Sequence, residues 1–393
     1  MMKIHSALWH RRILSFFTLI MMGVSWPLWL QGTDVPHFAV VSHPVLQQIS
    51  PFLLVVCVSG LLLSLHRHLG RIGCSLIVIS GLGLILLDQQ RIQAWFYQTL
   101  VLSLIYALLP DANALGFCRF FAVILYGHSA LSKFDHSFAE TMGPYLISPV
   151  LKILPEELGP NTLFRLVFGL PVGELIATLI LALGWFRIGC AAIVFMHSSL
   201  ILVLGPWALD HSANVLLWNV SMAIQAIILF GLTTPIKTPE TSIQKSEPPD
   251  TMPSPIGLGI VQLVLMAVAI LPFFERAGLW DPWPSFALYA GHVEQLRIEF
   301  PVADGSSIPS EFQPYVNGTS GSYVLDLTAW SRMTLGSPPY PAARIHRNLA
   351  RYIAGRCPAD LPMTAIMLGK AHWRTGRRDQ RVLSGQAMIL NIR

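Results

Sequence analysis

Four consecutive apolar segments of this chain carry polar residues whose types can do chemistry. They are His128 and Lys133 in YGHSALSKFDHSF, Glu174 in LPVGELIATL, His197 in VFMHSSLILVLGPW, and Trp218 with Asn219 in VLLWNVSM. An ionisable side chain in hydrocarbon costs roughly 3 kcal/mol or more, so such residues face a bundle interior and usually take part in function. Lys, His and Glu in an apolar wall supply hydrogen-bond donors and a proton route, which is what the head of a quinone-like carrier needs. Each residue also has a plainer reading. Lys133 sits at a helix end and can snorkel to the headgroups. His128 and His197 can rest neutral against a carbonyl or a serine. Trp218 can belong to an interfacial belt and Asn219 can be interhelical glue. Glu174, in the middle of its segment, cannot snorkel. Asp135 and His136 follow in a loop, as rim of a pocket or as solvent-facing residues, and Trp218 is the third residue expected at the rim.

The elements that must position these residues are membrane helices. Apolar residues make up 53% of the 393 positions and charged residues 12%, and mean hydropathy is +0.56. Soluble domains carry about twice that charge. The partner of first importance is therefore the lipid bilayer. Runs able to cross about 30 Å of hydrocarbon recur near 13–30, 48–65, 72–88, 94–110, 115–133, 164–183, 186–205, 214–231 and 256–274, nine in all. The first follows Lys3, Arg11 and Arg12 without a clean small-x-small site, and reads as an uncleaved anchor.

Lys and Arg in short loops mark the cytoplasmic face. The N-terminus, the HRHLGR loop and the loop with Lys237 and Lys245 alternate as that rule requires, while 31–50 holds neither residue. Nine spans from a cytoplasmic N-terminus put the C-terminal part in the periplasm of an inner-membrane, multi-pass protein. On this orientation His128, Lys133, Glu174, His197 and Asn219 converge on one pocket opening outward, as core sites in bundles are built from facing helices.

The expected organisation is N-terminal transmembrane helices over 1–111, a four-helix module over 112–232, a Pro-, Thr- and Ser-rich linker over 233–255, a last span over 256–275, and an extramembrane α+β domain over 276–393. The domain is marked by β-like runs QLRIEF, SYVLDL and TAIMLGKAHW, and by a helix over 342–354 following Pro341. The fold class is thus mainly α, a transmembrane bundle with a small α+β domain. All of the net charge lies in that domain, with 13 Lys/Arg and 8 Asp/Glu from Arg276 onward against 13 of each before it. The basic residues are spread rather than clustered with aromatics, which argues against a nucleic-acid partner. Cys57, Cys74, Cys118, Cys190 and Cys357 are dispersed, with neither a CxxC pair nor zinc-ligand spacing. Neither a thiol relay nor a metal site is expected.

Over about 116–231 the chain resembles the DoxX/MauE superfamily of membrane proteins. The resemblance rests on the helix ending ALSKFD, the acidic helix GELIATLILALGWFRIGCAA and the segment LGPWALDHSANVLLWN. It implies a four-helix, redox-associated module serving quinone-linked oxidation or the maturation of a periplasmic redox protein. The chain offers no cysteine pair of its own where such relatives use partner thiols. HSALSK and FMHSSL also resemble the Lys and His helices of the horizontally arranged transmembrane proteins, akin to the membrane part of vitamin-K-dependent carboxylases, which implies an enzyme using base chemistry. A scaffold role is the third class left open. LDLTAWSRMTLGSPPYPAARIHRNLARYIAGR suggests no chemistry.

Overall fold

A computed structural model describes residues 2–30, 38–40, 47–153, 159–232, 252–302, 304–319 and 321–392. The helical part comprises α1 (Met2–Val24), α2 (Ser50–Ser64), α3 (Gly70–Leu87), α4 (Ala94–Leu108) and α5 (Asp111–Leu131). It continues with α6 (Met142–Leu151), α7 (Pro160–Ala182), α8 (Phe186–Leu204), α9 (Ala213–Ala226, prolonged by a wide turn over Ile227–Gly231) and α10 (Pro255–Ile270). The expected linker over 233–255 lies outside the described residues as far as position 251.

Nine apolar segments become helices, but among the described residues only six helices are long and apolar enough to cross a membrane, not nine. These are α3, α5, α7, α8, α9 with its terminal turn, and α10 with the 3-10 turn that extends it to Phe274. Helices α2 and α4 have 15 residues each, about 22 Å at 1.5 Å per residue and short of a 30 Å core. Helix α1 has the length, but His10, Arg11 and Arg12 interrupt its apolar run. Arg11 is 1% exposed. Its guanidinium reaches Asp111 at 3.3 Å and the Ser64 carbonyl at 3.0 Å. It is therefore a buried structural charge rather than a free topogenic one. Arg91, equally buried, holds the Leu28, Trp29 and Leu84 carbonyls and the Ser50 hydroxyl at 3.0–3.3 Å. Helices α2 and α3 close on each other through Gly60 and Gly73, where an added Cβ would stand 2.5–2.8 Å from the opposing carbonyl, the small-residue contact typical of membrane helix pairs.

The C-terminal domain forms a five-stranded antiparallel sheet in the order β2-β3-β1-β4-β5. The strands are β1 (Gln295–Phe300), β2 (Val316–Thr319), β3 (Ser322–Leu325), β4 (Thr364–Leu368) and β5 (Gln380–Ser384). Helices α11 (Leu327–Leu335) and α12 (Ala343–Arg356) pack on it. Helix α12 buries Ile345, Leu349, Ala350, Ile353 and Ala354, the apolar stripe of a surface helix. Only the first part of SYVLDL is strand: Asp326 caps α11 by accepting from the Ala329 N–H, and Gly336, with φ 70°, ends it in the left-handed conformation. TAIMLGKAHW likewise leaves the sheet after Leu368.

One apolar core joins this domain to the N-terminal helices, running from Met21 and Trp29 through Trp95 to Trp330, Ile298 and Leu349. A polar junction ties the domain also to the ends of α5 and α10. His292 Nδ1 lies 2.6 Å from Asp135 Oδ2 and its Nε2 lies 2.8 Å from Glu275 Oε2. Lys370 donates to Glu275 at 2.7 Å and Arg276 to Asp135 at 3.3 Å. Both imidazole nitrogens therefore donate to carboxylates, which requires the charged ring. Burial opposes that charge, but the two carboxylates outweigh it and raise the His292 pKa above its ordinary 6.5. Burial likewise pushes Asp135 and Glu275 up, yet His292, Arg276 and Lys370 bring them below 3.8 and 4.5 respectively.

The sign follows by linkage. The histidine's contribution is complete below pH 6.5 and is lost as pH rises through its raised value. The carboxylates' contribution is complete above 4.5 and is lost as pH falls through their lowered values. His211 and His346, held down to about 4 by burial, titrate in the opposite sense, so the cluster is isolated by difference. The gap in thermal midpoint between the detergent-extracted protein and His292→Gln should be widest from pH 4.5 to 6.5 and shrink on either side. A gap that keeps widening above neutral pH would show that His292 is not held as a cation.

Candidate functional site

Helices α5, α7, α8 and α9 surround a cavity of about 550 Å³, within the range of small-molecule sites. Three contribute one face at helical spacing: Tyr126, Ser129 and Lys133 from α5 and its end, Gly169, Gly173, Glu174 and Ala177 from α7, and Val215, Trp218, Asn219 and Met222 from α9, while α8 lines it more broadly through Ala192, Phe195, Met196, His197 and Ser199.

Lys133 follows the last turn of α5 and folds back into the bundle rather than snorkelling outward. Its Nζ donates to the Ser129 carbonyl at 2.7 Å, to Ser129 Oγ at 2.8 Å and to Glu174 Oε2 at 2.9 Å. Both side chains are nearly enclosed, 9% and 11% exposed. A second chain runs beside this pair. Tyr126 Oη lies 3.0 Å from His197 Nε2, and His197 Nδ1 lies 2.8 Å from Asn219 Oδ1. The Asn219 amide nitrogen donates to the Val215 carbonyl at 2.8 Å, which leaves its oxygen to accept. His197 is thus assigned the Nδ1–H tautomer, with Nε2 accepting from the Tyr126 hydroxyl. Trp218 stands in the wall, donating from Nε1 to Gln98 Oε1 at 2.7 Å.

Of the residues expected to share a pocket, Lys133, Glu174, His197 and Asn219 do so, together with Trp218. Three do not. His128 turns to α10, with Nε2 2.9 Å from the Ala269 carbonyl and its ring edge-on to Phe273. It is five residues before Lys133, which on a helix points it to a different face. Asp135 is no rim residue: its carboxylate is fully buried, caps the Phe138 N–H at 2.7 Å and binds His292. His136 pairs with Glu140 at 3.1 Å, partly exposed and away from the cavity.

Several lining residues were not anticipated. Tyr126 had a signal, since it lies seven residues before Lys133 on the same face. The C-terminal domain had none, yet Trp283, Leu288, Tyr289, Ser337 and Pro338 close one end of the cavity. Tyr289 adopts φ 57°, a left-handed conformation costing about 1–2 kcal/mol for a non-glycine. It stands there with its hydroxyl 3.4 Å from His211 Nε2, which also faces Arg332 at 3.3 Å. Burial and the Arg332 charge lower the His211 pKa to about 4, so this ring is neutral at physiological pH. Burial raises the Tyr289 hydroxyl in turn.

The site therefore combines a self-neutralised ion pair, a neutral Tyr–His–Asn chain and apolar walls. It can hydrogen-bond an uncharged polar group and hand a proton along Tyr126 and His197. All five cysteines are free and buried, and among the described residues no His, Cys, Asp and Glu side chains group as metal ligands. No protein family matches the chain, and no characterised protein or solved structure is detectably similar to it.

Removing one member of a buried ion pair leaves the other uncompensated, at about 3–5 kcal/mol. Lys133→Met or Glu174→Gln alone should therefore lower unfolding stability in detergent by roughly that amount, and the double variant should recover most of the loss. Additive losses in the double-mutant cycle would show that the two groups do not depend on each other.

Proposed function

We propose that the protein is a redox-associated component of the inner membrane that holds a quinone-like carrier in the bundle cavity and serves a periplasmic redox partner. The observation that carries this reading is the meeting of Lys133, Glu174, Tyr126, His197 and Asn219 in one apolar-walled cavity. A quinone head offers two carbonyl oxygens that accept hydrogen bonds, and its reduction takes up protons. The resemblance of about 116–231 to the DoxX/MauE superfamily points the same way. Electrons would travel on the bound carrier or on a partner's thiols, because the cysteines of this chain are buried, and burial raises the Cys357 thiol to about 11.

A carboxylase-like enzyme is the second reading. It is favoured by one feature, Lys133 and His197 lining the same cavity.

Mass spectrometry of the purified protein should find an isoprenoid quinone bound. His197→Ala should weaken quinone binding by about tenfold, as expected for losing a buried hydrogen-bonding group worth roughly 1–3 kcal/mol. Wild-type protein that neither carries nor binds a quinone overturns the reading.

For topology we infer a periplasmic C-terminal domain, supported by the absence of Lys and Arg from 31–50. A reporter active only in the periplasm, fused after Arg393, should be on. A cytoplasmic signal reverses the orientation.

A further inference from the structure

The cavity reaches the flank of the bundle between α7 and α8. Gly169, Leu170 and Gly173 of α7 and Phe195 of α8 line it while standing exposed on the outer surface, Phe195 at 75%. Apart from the chain neighbours and the backbone of α7 itself, no described atom lies within 4 Å of where a Cβ would project at Gly169 or Gly173. The two helices are pinched together at their connecting end, where an added Cβ on Gly189 would stand 2.4 Å from Leu181 Cδ2. Beyond Gly173, an apolar cluster of Phe138, Leu146, Ile147, Val167 and Leu204 packs under α6. The gap lies between these two closures. Phe195 is the central residue of Phe186–Leu204, and Gly173 lies close to the centre of Asn161–Ala182, both of them membrane-crossing helices by length and apolarity. An opening at that depth faces hydrocarbon rather than water or headgroups.

The inner end has the opposite character. The Trp95 indole N–H, Asn214 Oδ1 and Ser337 Oγ, in residues 5%, 5% and 2% exposed, have no hydrogen-bond partner among the described residues, and all three residues line the cavity. Buried polar atoms of this kind are normally satisfied by a ligand or water. The charges in the wall cancel, since Lys133 and Glu174 bind each other, so a charged headgroup would meet no free counter-ion among the lining residues.

We infer that the α7–α8 gap is a lateral portal, and that the occupant is a lipid with an uncharged hydrogen-bonding headgroup whose hydrocarbon tail passes through the portal into the bilayer. The inference rests on the cavity being the binding site, as proposed above, and deepens that reading by naming the ligand class and its route. The headgroup would reach the Trp95, Asn214 and Ser337 end, and the tail would cross Gly169 and Gly173.

The test uses the full chain reconstituted in lipid nanodiscs, with Gly173→Trp to fill the gap and Leu183→Trp as a control on an exposed position outside the cavity. The readouts are co-purified lipid by mass spectrometry and titrations with decylubiquinone and with its tail-less dimethoxy-methyl benzoquinone head. Gly173→Trp is expected to lose the co-purified lipid and to bind decylubiquinone at least about tenfold more weakly. The tail-less head should lose less affinity than decylubiquinone does, an equal loss of both overturning the portal, and Leu183→Trp should match wild type throughout. Unchanged decylubiquinone binding in Gly173→Trp overturns the portal and leaves the quinone reading standing. A co-purified neutral lipid other than a quinone, lost in Gly173→Trp from a protein that binds neither quinone, supports the portal and removes the quinone reading. Wild-type protein that carries no lipid and binds neither probe overturns both.

Discussion

A charge inside a hydrocarbon-walled bundle has no water to turn to, so its partner must come from the protein itself. This constraint organises the molecule. Arg11 is held by Asp111 and by carbonyls at the end of α2, Arg91 by four oxygens around the Leu28–Trp29 turn, and Lys133 by Glu174 and Ser129. In each case at least one partner comes from a different element, so satisfying the charge also fixes how the elements pack.

The same rule ties the C-terminal sheet domain to the helical part. Asp135 follows α5, Glu275 follows α10, and His292 and Lys370 come from the C-terminal domain; His292 bridges the two carboxylates and Lys370 adds a second cation to Glu275. Arg344 of α12 repeats the pattern, reaching Gln89 after α3 and Asp281 at 2.8 Å. The domain is consequently not a separate globule on a tether. It shares a core with α1 and α3 and supplies one end of the cavity through Trp283, Tyr289 and Ser337. The strained backbone at Tyr289 is maintained by this docking, which aims the ring at His211.

Much of the fold could be read along the chain. The apolar runs matched helices because length and hydrophobicity are local properties, and QLRIEF became a strand end to end. The count of membrane crossings could not be read the same way. A 15-residue apolar helix and a full span look alike until their ends are fixed, and Arg11 reads as a loop charge until Asp111 is found beside it. The expected strand SYVLDL shows a subtler failure. Asp326 and Gly336 together spell a helix with its cap and stop, but the alternation of SYVL masked the signal.

Of the candidate site, Lys133, Glu174, His197 and Asn219 were legible because a polar residue within an apolar helix has so few permitted surroundings. His128 misled for the same reason: it too needed a partner, and the Ala269 carbonyl of a distant helix satisfied it away from the cavity. Asp135 and His136 misled because a loop position carries no periodicity to say which side it faces. The sequence by itself determined that charges would be buried, and roughly in which helices. Which charge meets which partner, that the C-terminal domain closes the cavity, and that exposed residues of α7 and α8 line it at its flank were decided only by tertiary structure. Those features depend on contacts between residues far apart in the chain, and no local pattern encodes them.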